Sequence, residues 1–132
     1  GNRVVSLAVE RWNFVTNADW IQAYDFFSPD HKRLEKLTVY LGGKEYHEYG
    51  EASKPAVIGI EDNMGYLEVI VDWTPHHPEL RIADNLPDEP DAMKQTLTMI
   101  ESWEWVEGEW YYQGAERRNE FFEAHPKLAK NN

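Results

Sequence analysis

The stretch Tyr40–Ala52, "YLGGKEYHEYGEA", is where the chain changes its period. Before the paired Gly42 and Gly43, apolar residues recur at every third or fourth position; after them side chains alternate, with Glu45, His47 and Tyr49 on one face and Tyr46 and Glu48 on the other. Glycine ends helices readily because it alone reaches the left-handed backbone region without steric cost. The reading is therefore helix up to about Leu41 and strand over 44–52. A helical first third followed by strands is the order of an α+β domain, with its helices segregated onto one face of an antiparallel sheet.

Working back toward the N-terminus, Val5, Ala8, Val9, Trp12 and Val15 fall at helical steps and predict a helix over 3–16. Asp19 caps a second helix, with Gln22 in the capping-box position, and places Trp20, Ala23, Tyr24 and Phe27 on one face. Ser28 followed by Pro29 opens a third over 29–36, continuing irregularly to Leu41. Working forward, "AVIGI" (56–60), the turn "EDNMG" (61–65) and "YLEVIVDWT" (66–74) read as a hairpin. Its core face carries Leu67, Val69, Val71 and Trp73. "QTLTMIESWEWV" (95–106) joins "EWYYQ" (109–113) through Glu107-Gly108 as a second hairpin, with Trp103, Trp105, Trp110 and Tyr112 near the turn. The proline-rich and acidic segment 75–93 reads as a crossing loop holding a short strand at 79–83. The tail, 114–132, begins as helix, is expected to stop at Pro126 and then to fray.

The 132 residues, 42% hydrophobic and 14% aromatic, suit a single domain with its core over about 3–113. A formal charge of −11 repels phosphate backbones, so nucleic acid is not an expected partner. No apolar run is long enough for a membrane span, and "GNRVVSLAVERW" has neither the basic nor the apolar region of a signal peptide. The chain has no cysteine, no phosphate-cradling glycine loop and no nucleophile elbow. His76, His77 and Glu79 are neighbours in a loop and seldom converge on one metal ion, and Asp84, Asp88, Glu89 and Asp91 lack calcium-loop spacing. Neither a metal nor a cofactor is expected.

The residue that breaks the pattern is Glu101, set in an apolar face made by Leu97, Met99, Trp103 and Trp105. A carboxylate there is partly desolvated, which raises its pKa and suits it to proton transfer beside an apolar ligand; a twist or bulge would instead turn it outward, or an Arg or Lys would pair with it. Tyr24 offers a phenolic donor for a substrate oxygen, or a bond to backbone. His47 offers an acid or base near neutral pH, or an exposed edge-strand side chain.

The run "ERWNFVTNADWIQAYDFFSPDHKR" with the later "IESWEWVEGEWYY" resembles the nuclear transport factor 2-like superfamily, in particular bacterial envelope members. Trp12, Asp19-Trp20, Tyr24, Ser28-Pro29, Trp105, Gly108 and Trp110 stand where that family has counterparts. The resemblance implies a cone-shaped (cystatin-like) domain. In it a strongly curved antiparallel sheet wraps the N-terminal helices around an apolar hollow, and the sheet's outer face forms a homodimer. It also implies an envelope location if an export signal preceded Gly1, and a cytoplasmic one otherwise. Trp12, Trp20, Tyr24, Phe27, Trp73, Glu101 and Trp103 become the expected ligand-binding residues. The expected function is non-catalytic binding of a small apolar or amphipathic molecule or of a protein partner. The alternative is an isomerase, dehydratase or cyclase of the ketosteroid-isomerase type, with Glu101 moving the proton and Tyr24 polarising the substrate. The family's catalytic sets have no position-by-position match here, and a filled core would leave only a structural module.

Overall fold

A computed structural model describes residues 2–76 and 94–131. Helix α1 (Asn2–Thr16) buries Val4, Leu7, Ala8, Arg11, Trp12 and Val15, one continuous stripe at three- and four-residue steps. It ends in a left-handed turn at Ala18 (φ 58°), with Asp19 N–H donating to Phe14 C=O at 2.8 Å and Ala18 N–H to Val15 C=O at 3.0 Å. The caps read from the sequence are present. Asp19 accepts from Gln22 N–H at the start of α2 (Trp20–Tyr24), and Ser28 accepts from His31 N–H at the start of α3 (Pro29–Leu34). Helix α4 (Leu37–Leu41) follows, and then Gly43 in the left-handed region (φ 81°).

The strands are β1 (His47–Ala52), β2 (Ala56–Glu61), β3 (Met64–Pro75), β4 (Gln95–Val106) and β5 (Glu109–Arg117). They form one antiparallel sheet in the order β1-β3-β4-β5. Strand β2 also pairs with β3, alongside its first half, while β1 takes the second half. The molecule is thus α+β, and in β3 Leu67, Val69 and Val71 are fully buried on the face toward α1 and α2 as expected, whereas Trp73, at the strand's end, is only half-buried and Tyr66, on the opposite face, is buried under Phe121. Residues 44–46, expected as strand, form a 3-10 turn, because Gly43 restarts a tight turn before the chain becomes extended at His47.

Two features depart from the expected C-terminal third. Strand β5 runs on to Arg117 through a bulge: Ser102 faces Gly114 and Trp103 faces Tyr112, so Gln113 is the extra residue. Gly114 adopts φ 134°, a conformation that other residues rarely reach. The tail then forms two helices, α5 (Arg118–Ala124) and α6 (Pro126–Asn131); Pro126 opens the second, where its missing N–H costs nothing. Phe121 and Leu128 pack on Tyr66 and Ile100 of the sheet's outer face, and a Cβ at residue 59 would stand 2.6 Å from Leu128, so Gly59 is what admits that side chain. The chain's own helices therefore occupy part of the face expected for a second copy. Among the described residues no helix is long and apolar enough to cross a membrane. The short strand expected at 79–83, together with His77, Glu79, Asp84, Asp88, Glu89 and Asp91, lies outside the described residues.

Candidate functional site: a cationic group in an aromatic hollow

Between α1, α2, α4 and the sheet lies a hollow of about 390 Å³. Its wall is largely aromatic: Trp12 from α1, Trp20 from α2, Phe27, Tyr40 from α4, Tyr49 from β1 and Tyr112 from β5. The rings hold one another edge-on, Trp20 standing 5.9 Å from Tyr49 and 6.4 Å from Tyr40, and Trp12 standing 5.8 Å from Tyr49. The β5 bulge contributes to the wall, because with the extra residue both the buried Tyr112, opposite Trp103, and the exposed Ala115, opposite Glu101, line the hollow.

Arg11 also lines this hollow, and only 6% of it is exposed. Its guanidinium lies 3.5 Å from the Tyr112 ring centroid, a stacked cation–π arrangement. Behind it, outside the hollow, is Glu101, which is 0% exposed. The carboxylate accepts from two indoles, Trp12 Nε1 at 2.5 Å and Trp103 Nε1 at 3.2 Å. Arg11 Nη1 is 3.9 Å from Glu101 Oε1, close enough for charge attraction but too far for a hydrogen bond. Burial raises the Glu101 pKa, and the Arg11 charge and then the indole bonds oppose the rise.

Among the described residues three buried side-chain polar atoms lack a hydrogen-bond partner: Arg11 Nε, Arg11 Nη1 and the Tyr40 hydroxyl. All three can donate, the Tyr40 oxygen can also accept, and both residues line the hollow. A buried donor without an acceptor costs about 1–3 kcal/mol, more when it is charged. Tyr40 has its pKa raised by burial, with nearby Arg11 opposing, although the two side chains do not meet hydrogen-bond geometry. Lys44 adds a second cation to the wall, 4.3 Å from the Tyr40 ring centroid, and burial lowers its pKa while Glu35 opposes.

The residues read from the sequence divide into three groups. Trp12, Trp20 and Phe27 border the hollow. Tyr24, Glu101 and Trp103 are buried nearby but do not border it: Tyr24 donates to the carbonyls of Glu35 (2.7 Å) and Lys32 (3.3 Å), and Glu101 and Trp103 bond to each other. Trp73 stands at the far end of β3, where its Nε1 donates to His47 Nδ1 at 3.0 Å. His47 is exposed and borders the hollow. Arg11, Tyr40, Tyr49, Lys44 and Tyr112 join the site without having been expected as site residues. For Arg11 a signal existed, since the spacing 4-7-8-11-12-15 runs through it. Tyr40 and Tyr112 reach the site through tertiary packing and a bulge, which one-dimensional periodicity does not encode.

A second hollow of about 670 Å³ lies between α1 and Gly50–Pro55, but its charged side chains, Glu51 and Lys54, are exposed to solvent. Among the described residues no group of three or more His, Asp or Glu side chains is placed to hold a metal ion. No family model, characterised protein or solved structure matches the chain.

Proposed function

We propose that the protein binds a small amphipathic molecule in the Arg11–Tyr112 hollow without transforming it. The observation that carries this reading is the hollow itself: about 390 Å³ walled by aromatic rings, with a few polar groups convergent on it. Helices followed by an antiparallel sheet, with the hollow between them, support a nuclear transport factor 2-like cone as the architecture. Binding is favoured over the Glu101 proton-transfer reading because a general acid or base must reach the reacting atom. Both Glu101 oxygens accept from indoles, and the side chain does not border the hollow.

The test is a fluorescence titration with the neutral apolar probe N-phenyl-1-naphthylamine. Saturable binding with quenching of tryptophan emission is expected. In Ala115→Trp, where an exposed β5 residue on the wall becomes bulky, affinity is expected to fall at least tenfold with an unchanged far-ultraviolet circular dichroism spectrum. Equal affinity in the two proteins would place the probe elsewhere and remove the basis for the reading.

A further inference from the structure

Resting on that binding reading, we infer that the hollow selects a small organic anion, a carboxylate on an aromatic or apolar body, with its charged oxygens taken by Arg11 and Tyr40. The unpartnered buried polar atoms supply the reason. Arg11 Nε, Arg11 Nη1 and the Tyr40 hydroxyl are donors, and the protein offers none of them an acceptor in hydrogen-bond geometry. Glu101 cannot serve: it is 3.9 Å from the nearest guanidinium nitrogen, and its oxygens already accept from Trp12 and Trp103. A ligand that only donates, or has no polar atom, would leave the two guanidinium donors in deficit. A carboxylate supplies two oxygens with about four lone-pair directions and forms charge-assisted bonds, about twice as strong as neutral ones. Stacking of the guanidinium on Tyr112 fixes its plane, so its edge is preset before a ligand arrives. The aromatic wall then takes the body of the ligand, with Lys44 as a second positive charge.

Two isosteric probes separate charge from shape: 2-naphthoate, ionised at neutral pH, and 2-naphthamide. Each displaces bound N-phenyl-1-naphthylamine from the wild-type protein, and naphthoate is expected to do so at a concentration at least tenfold lower. Removing Arg11 alone would strand the buried Glu101 charge and risk unfolding, so the paired variant Arg11→Gln/Glu101→Gln is used. Its naphthoate-to-naphthamide ratio is expected to fall below three. Tyr40→Phe, which deletes only a hydroxyl, is expected to lower the ratio at least threefold, because a charge-assisted bond loses more than a neutral one. A wild-type ratio below two, or a tenfold ratio that survives in both variants, overturns the selection of an anion while leaving the hollow as a binding site. Failure of the neutral probe to bind the wild-type protein overturns both readings together.

Discussion

At the scale of single residues, the centre of the molecule is an acid held by two indoles beside a stacked guanidinium. Replacing Glu101 with Gln turns an NH2 toward one indole N–H, leaving two donors face to face, and is expected to cost about 1–3 kcal/mol of stability at neutral pH by urea denaturation. The pH dependence has a definite sign. Burial holds the folded-state pKa of Glu101 above its ordinary value of 4.5, so the folded protein keeps a proton that the unfolded chain has released. The contribution of Glu101 to stability is then greatest below the ordinary value and is lost as pH rises from there through the folded-state pKa. The stability of wild type relative to Glu101→Gln should decline over that range. A difference that grew with pH would mean that the indole and guanidinium contacts outweigh burial.

Among the elements, α1 shows best what a sequence discloses and what it hides. Its existence and length follow from periodicity, 3–16 expected against Asn2–Thr16 found. Apolar residues alone centre its stripe on Val5, Ala8, Val9, Trp12 and Val15, whereas the buried face runs through Val4, Leu7 and Arg11 as well. A charged residue is ordinarily solvated, and that expectation conceals the one charged member of the stripe, which lines the hollow beside Trp12 and Val15. The end of α1 carries a separate consequence. Ala18 holds φ 58° in a position where glycine avoids the Cβ penalty, so Ala18→Gly should raise stability by about 0.5–1 kcal/mol, the relief of strain exceeding the added freedom of the unfolded chain. Thermal unfolding followed by circular dichroism measures this, and a loss of stability would show the turn to be unstrained. In the sheet, alternation identified the buried row of β3 but not the β5 bulge. One inserted residue is a matter of register, and register depends on partners that lie elsewhere in the chain.

Over the whole molecule, the sheet is packed on both sides, by α1 and α2 on one and by α5 and α6 on the other. The second layer is small, yet Phe121 is fully buried and meets the Tyr66 ring at 5.0 Å. Phe121→Ala should cost about 3–5 kcal/mol, a large share of the roughly 5–15 kcal/mol that holds a domain folded. Because Phe121 packs with Ile100 of the central strand β4, the loss should appear in one cooperative urea transition. Early melting of helix signal with the sheet intact would make the two layers independent. The chain carries a net charge of −11, whereas the hollow's lining holds Arg11 and Lys44 against one carboxylate, Glu35, which His31 engages at 2.7 Å, so the proposed anion preference is a local property set against the average field.

The position of α5 and α6 in the chain also bears on synthesis. A ribosome releases β1 to β5 before either helix, so until α5 and α6 emerge the nascent sheet leaves Tyr66 and Ile100 uncovered. Until residue 128 emerges, that surface stays uncapped and open to aggregation, and slowing elongation over the β5–α6 region should lengthen its exposure.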